Sequence, residues 1–123
     1  MEAPPDPGDP GQPALLVYDG DCPLCRDIVD WLRKRRGARN LRLAPFQGDE
    51  GRRIVGERGL AAEARQTILL FDADGAHSHS EAVRATFARL GGVWPAVAKL
   101  MRAVPRSWRD AVYDFIARRR YRL

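Results

Sequence analysis

Hydrophobic positions along this chain follow two kinds of pattern, one typical of β-strands and one typical of α-helices. The changes from one pattern to the other indicate where the predicted strands and helices lie. Short apolar or alternating runs predict β-strands at residues 14–18, 41–44, 67–71 and 76–78. Apolar residues spaced three and four apart predict helices that start after Cys22, cover 48–58, start at an N-cap Ser80, and fill 94–104 and 108–119. The resulting order is βαβ(α)ββα followed by two further helices.

This order predicts an α/β fold with one sheet and helices on its faces. We expect residues 14–92 to form the core. Residues 93–123 form a helical, basic C-terminal extension, whose apolar stripes we expect to pack on the same domain. Residues 1–13 contain five prolines, two glycines and three acidic residues, which predicts a disordered extension.

Composition and charge narrow the class of protein. The chain has 123 residues, 45% apolar and 30% charged, as in one globular domain. No apolar run reaches the roughly 20 residues of a membrane span, and no signal-peptide pattern is present, so we expect a cytoplasmic protein. The net charge of +5 belongs to the tail, where eight Lys and Arg from Lys99 onward oppose two acids. We therefore expect no nucleic-acid partner.

The only two cysteines, Cys22 and Cys25, lie where the first strand meets the first helix. Pro23 suits the first helical position, which makes Cys22 the predicted N-cap, with its sulfur accepting from N–H groups of the first turn, including that of Cys25. The helix dipole favours a thiolate at Cys22, and the spacing allows a disulfide. The negative charges of Asp19 and Asp21 oppose this effect, and the sequence leaves the balance open.

The motif Asp19-x-x-Cys22-x-x-Cys25 after an apolar strand resembles the signature of the DCC family of thiol-disulfide oxidoreductases. Three further stretches are similar to that family: 43–47, 80–83 and the tail from Val104. The resemblance implies a thioredoxin-like fold and a redox dithiol. Thioredoxin-like proteins usually carry a cis-proline before the strand that faces the cysteines. Thr67 stands there instead, so the chain departs from the usual pattern at the backbone that normally pairs with an extended substrate.

Candidate site residues surround this motif. Cys22 is the expected nucleophile and Cys25 the resolving thiol. Asp19 is either a proton acceptor or orienting group for the dithiol, or a turn-forming residue bonded to backbone amides. Substrate contacts are expected from four residues: Asp21, Pro23, Leu24 and Thr67.

These residues predict a thiol-disulfide oxidoreductase that needs no cofactor and is re-reduced by an unknown electron donor. One alternative is an interaction module whose basic helices dock a partner or an anionic surface through Arg118, Arg119, Arg120 and Arg122. A third reading is a metal site. It would use Cys22 and Cys25 with His77 and His79, whose alternate spacing predicts one face of a strand.

Overall fold

A four-stranded mixed sheet lies at the centre of the protein. The computed structural model describes residues 7–8 and 11–119. The predicted disordered extension therefore lies mostly outside the described residues, as do Arg120 and Arg122. The strands are β1 (Ala14–Tyr18), β2 (Leu41–Pro45), β3 (Leu69–Asp72) and β4 (Gly75–Ser78). The helices are α1 (Pro23–Arg33), α2 (Asp49–Glu57), α3 (Ala61–Ala64), α4 (His79–Phe87), α5 (Trp94–Arg102) and α6 (Arg106–Arg118), with a 3-10 helix at Arg36–Asn40.

The strand order β2-β1-β3-β4 puts β1 inside the sheet. β1 runs parallel to β2 and antiparallel to β3, and β3 and β4 form an antiparallel hairpin. All five residues of β1 are buried. Its alternate side chains enter two apolar clusters, one around Leu16 and Leu70 and one around Leu15 and Phe71. A strand buried on both faces reads as a continuous apolar run, which is why the sequence located it.

The predicted α/β architecture is confirmed and is consistent with a thioredoxin-like fold. β1 has the predicted bounds, and α1 begins at Pro23 with Cys22 as its N-cap. The short helix α3 and the 3-10 helix were not predicted, because four or five residues carry too little periodicity to recognise.

The start of α4 differs from the prediction. The N-cap is Ser78 rather than Ser80, and the helix begins at His79, whose φ of 53° lies in the left-handed region. Ser80 instead lies in the first turn, where its hydroxyl donates to the Asp110 carboxylate of α6. A partner 30 residues away thus determines the role of this serine. The prediction that His77 and His79 share one face of a strand is also wrong, because β4 ends at Ser78.

The two C-terminal helices break at Pro105 as predicted. Trp94 of α5 packs between Trp31 and Phe87, with ring centroids 4.9 and 5.1 Å away. The apolar stripe of α6 does not face the core as expected. Trp108, Val112 and Phe115 are each more than half exposed. Within the described ranges, no helix is both long and apolar enough to cross a membrane.

Candidate active site

The two cysteines lie at the N-terminus of α1, directly after the carboxyl end of β1. Cys22 has an extended backbone, with φ −84° and ψ 119°, so its side chain turns back over the first helical turn. The Cys25 N–H donates to the Cys22 sulfur at 3.3 Å. Pro23 occupies the first turn, where an N–H would have no helical partner. The predicted N-cap role of Cys22 is therefore confirmed.

Both cysteines are buried and reduced. Cys22 has no exposed surface, and Cys25 is 7% exposed. They pack in a small apolar cluster with Tyr18 and Val29. The Cys22 sulfur thus accepts a hydrogen bond from a main-chain N–H at the N-terminal end of α1. Because Cys22 has no exposed surface, a molecule from solvent can reach its sulfur only beside Cys25 or through an opening of the turn before Cys22.

That turn is held by Asp19 and Gln47. Asp19 is 5% exposed, and its Oδ1 accepts from the Asp21 N–H at 3.0 Å and from Gln47 Nε2 at 2.8 Å. The carbonyl of Asp19 accepts from the Cys22 N–H at 3.2 Å. The structure thus contains the turn expected for an Asp-Gly pair. It also links the Asp19 carboxylate, through Gln47, to the strand next to β1.

Gln47 is the residue at this site that the sequence did not single out. Its Oε1 accepts from the Gly20 N–H at 3.0 Å while its Nε2 donates to Asp19, so both ends of the amide are used. It follows β2, and the Phe46 N–H donates to the Tyr18 carbonyl at 2.8 Å, which brings this loop beside the turn. Two signals were available: Gln47 ends the stretch 43–47 that resembles the family, and it is a polar residue that follows a strand predicted to neighbour β1.

Thr67 precedes β3 and is 2% exposed. Its hydroxyl accepts from the His79 N–H at 2.9 Å and is hydrogen-bonded to the Tyr113 hydroxyl of α6 at 2.9 Å. The same Tyr113 oxygen accepts from the Ile68 N–H at 3.1 Å. These bonds support a structural role for Thr67 in attaching α6. Its contact with substrate stays a prediction.

An apolar cleft of about 250 Å³ lies beside Cys25 between α1, α4 and α6. Its walls include Leu24, Ile28, Val83, Phe87, Ile116 and Ala117. Of the other predicted substrate contacts, Asp21 is exposed at the turn and Pro23 is half-buried at the start of α1. The structure therefore separates a polar side of the dithiol, at Asp21, from an apolar side, at Leu24.

The two histidines bond away from the cysteines. His77 Nε2 lies 3.0 Å from the Asp72 carboxylate, and His79 Nδ1 lies 3.2 Å from the Ser78 hydroxyl. In the part of the chain that the structure describes, no three His, Cys, Asp or Glu residues are grouped to hold a metal ion.

Charged groups attach α6 to the start of α4. The Glu81 carboxylate accepts from Arg84 at 3.0 Å and from Arg109 at 2.8 Å. The hydrogen bond from Arg84, opposed by burial and assisted by Arg109, lowers the pKa of Glu81 from 4.5 to about 2. Burial alone would raise the pKa of Asp110, but hydrogen bonds from Ser80 and nearby positive charge bring it below its ordinary value.

A reduced C-x-x-C pair at a strand-to-helix turn of a mixed β2-β1-β3-β4 sheet defines the class of thioredoxin-like dithiol proteins. The chain belongs to the DCC1-like thiol-disulfide oxidoreductase family, whose model matches residues 16–123.

Two curated relatives match most of the chain. The uncharacterized protein YuxK of Bacillus subtilis is 30% identical over 108 residues, covering 88% of this chain and 78% of that protein. The chloroplastic DCC family protein At1g52590 of Arabidopsis thaliana is 26% identical over 107 residues, covering 87% of this chain and 62% of that protein. No solved structure matches the chain significantly.

Proposed function

We propose that this protein catalyses thiol-disulfide exchange, with Cys22 as the attacking sulfur and Cys25 as the resolving one. The observation that carries the proposal is the hydrogen bond from the Cys25 N–H to the Cys22 sulfur, 3.3 Å, at the N-terminus of α1. This geometry favours the thiolate at Cys22 and keeps its partner one helical turn away. The family of the chain supports the same redox role.

The reaction has two exchange steps. The Cys22 thiolate attacks one sulfur of a substrate disulfide, forming a mixed disulfide and releasing the other sulfur as a thiolate, which takes up a proton. The Cys25 thiol then loses its proton and attacks the Cys22 sulfur, releasing the second substrate thiol. The substrate disulfide gains two electrons and two protons, and the dithiol becomes a Cys22–Cys25 disulfide. A thiol reductant returns the protein to its starting state.

The first experiment measures the reduction potential of the cysteine pair in glutathione buffers by alkylation of the remaining thiols. We expect one reversible two-electron transition within the range of known oxidoreductases, roughly −120 to −270 mV. If no intramolecular disulfide forms under any buffer ratio, the redox proposal is wrong.

A pair of trapping variants assigns the two sulfurs. With an excess of substrate disulfide, Cys25→Ser should accumulate a mixed disulfide at Cys22, because the resolving thiol is missing. The matched variant Cys22→Ser should accumulate little, because Cys25 lacks the N-cap position. Mass spectrometry reads both, and adduct formation in Cys22→Ser alone would reverse the two roles.

For Asp19 we propose a role as proton acceptor or orienting group for the dithiol. Its burial within the turn that leads to Cys22 supports this role. Asp19→Asn keeps the size of the side chain and removes its charge, so the pH profile of thiol alkylation should change. The control is Asp27→Asn, which removes a carboxylate of the same kind at an exposed position of α1 and should leave the profile unchanged. An unchanged profile in Asp19→Asn would leave this residue only its turn-forming role.

A second candidate function is docking to an anionic surface through α6. The exposed side chains of Trp108, Val112 and Phe115 favour it, together with the exposed cations Arg118 and Arg119. Vesicles containing anionic lipid should then bind Cys22→Ser as well as the unchanged protein. Charge-neutralising substitution of the whole set, Arg118, Arg119, Arg120 and Arg122, should abolish binding. Equal binding to vesicles of neutral lipid would exclude an anionic surface.

A further inference from the structure

The apolar cleft reaches the dithiol at Cys25. This cysteine lines the cleft and has 7% of its surface exposed, whereas Cys22 has none. A molecule that enters the cleft from solvent therefore meets the dithiol on its Cys25 side. Reactive groups that line a concave apolar cavity define a default location for substrate.

The walls of the cleft are apolar and offer a ligand almost no hydrogen-bond partner. None of the residues that line it carries a charge. The Thr86 hydroxyl donates to the Ala82 carbonyl at 2.7 Å, and the Tyr113 hydroxyl is engaged by Thr67 and Ile68. A carboxylate or ammonium group placed here would lose its hydration without compensation. The cleft therefore discriminates against charged ligands.

The size of the cleft and its backbone favour a small molecule over a polypeptide. An apolar cavity of roughly 150 Å³ holds benzene, so a cleft of about 250 Å³ has room for one or two small rings or a short alkyl group. Extended peptides bind largely through main-chain hydrogen bonds. The Ile68 N–H, beside the cleft at the start of β3, already donates to Tyr113.

A second, mostly apolar groove shares three of its lining residues with the cleft. Val83, Tyr113 and Ile116 line both the cleft and a groove of about 390 Å³ that is formed by residues of α4, α5 and α6. That groove continues to Val104 and Trp108, which are 40% and 68% exposed. Apolar surface therefore extends from the residues that the cleft and the groove share to exposed side chains of α6.

We propose that the apolar cleft is the substrate site of the dithiol, and that it selects a small, uncharged, apolar disulfide over a charged one such as glutathione disulfide. This inference rests on the proposed exchange activity and specifies its substrate class. In the reaction, R–S–S–R accepts two electrons and two protons and leaves as two R–SH. Cys22 and Cys25 lose two hydrogens and form one disulfide.

The test compares two aromatic disulfides of similar shape, one uncharged and one negatively charged. Dithiodipyridine is uncharged at neutral pH, and dithiobis(nitrobenzoate) carries two carboxylates. The rate at which each oxidises the reduced full-length chain is divided by its rate with dithiothreitol, which removes intrinsic reactivity. We expect the normalised rate to be about tenfold or more higher for the uncharged reagent, since the cleft excludes charge.

Two variants of α6 test whether the preference for the uncharged reagent arises in the cleft. Ile116→Gln adds a polar group to the cleft wall without charge, and Ala117→Phe fills the cleft while keeping it apolar. Each should lower the preference for the uncharged reagent about three- to tenfold, the effect of losing one or two buried methylene contacts. The matched control is Phe115→Gln, the neighbour of Ile116, which is 57% exposed and does not line the cleft. It should leave the preference unchanged.

The outcomes separate this inference from the proposed function. If both reagents form the Cys22–Cys25 disulfide at equal normalised rates and the α6 variants change nothing, the substrate site is elsewhere and the exchange activity stands. If neither reagent produces an intramolecular disulfide, both proposals fail. A preference that falls in Phe115→Gln as much as in Ile116→Gln would also overturn the assignment to the cleft.

Discussion

Two of the three helices that border the cleft, α1 and α6, are attached to the protein by different means. α1 buries Cys25, Val29 and Leu32 against the sheet, so apolar packing holds the wall that carries the dithiol. α6 buries no residue completely, and it is held through Arg109, Asp110 and Tyr113. One wall therefore depends on the hydrophobic effect and the other on hydrogen bonds and charge. The second wall should respond to pH and salt under conditions that leave the first intact.

The largest expected difference is in the free energy of unfolding, when a phenylalanine is replaced by alanine in the core strand β3 and in α6. Phe71 is fully buried in β3, whereas Phe115 on α6 is 57% exposed under the Arg119 guanidinium. Phe71→Ala should lower the free energy of unfolding by about 3–5 kcal/mol, because it leaves a cavity. Phe115→Ala should lower it by less than about 1 kcal/mol. Urea denaturation measures both, and similar losses would mean that α6 is packed as the core is.

Acid should weaken the attachment of α6 through Glu81. Because its pKa falls from 4.5 unfolded to about 2 folded, its contribution to stability is complete above about pH 4.5 and disappears as the pH falls through about 2. At about 1.4 kcal/mol per pKa unit, the contribution is at most roughly 3 kcal/mol. The lowered pKa of Asp110 acts in the same direction.

Glu81→Gln is the variant that tests this dependence. It should be less stable than the unchanged protein near neutral pH, and the difference should shrink on acidification toward about pH 2. Urea denaturation across that range reads the difference. A constant difference at every pH would contradict a role for the Glu81 charge. Glu57→Gln is the control. Glu57 lies at an exposed position of α2, and its described ion pair is with Arg53 at 3.4 Å.

A smaller effect is expected from the hydroxyl of Tyr113. Tyr113→Phe keeps the ring but leaves the Ile68 N–H and the Thr67 hydroxyl without this partner. The loss should be about 1–2 kcal/mol, and it should speed amide hydrogen exchange in α6 more than in β1. Val112→Ala, at an exposed position of the same helix, should change neither quantity noticeably. Equal acceleration in both elements would show that α6 and the sheet open together.

The sequence predicts this fold best where the signals are local. β1 is a continuous apolar run, and the start of α1 is marked by adjacent Cys22 and Pro23, so the dithiol turn could be located from a dozen residues. Ser80 shows the limit of such signals. Its type predicts an N-cap, but its hydroxyl pairs with Asp110, and no periodicity near Ser80 reports that partner.

The candidate site was likewise predictable where its residues are close in sequence, and not where they are distant. Asp19, Cys22 and Cys25 lie within one short motif and are brought together as expected. Gln47 bridges to Asp19 across 28 positions, and the cleft needs residues of three helices. The orientation of α6 could not be predicted from its amphipathic pattern. Its polar residues Arg109 and Asp110, rather than its exposed apolar residues, make hydrogen bonds to α4.

The burial of Cys22 also bears on chemical damage. Oxidation of cysteine by peroxide proceeds from sulfenic to irreversible sulfinic and sulfonic acids, and it requires access of the oxidant to the sulfur. In the reduced protein, the Cys22 sulfur has no exposed surface. The first oxidation product at either cysteine would lie one helical turn from a second thiol, which can convert it to a disulfide. The placement of the pair thus shields the Cys22 sulfur from oxidants dissolved in water and keeps a second thiol beside any early oxidation product.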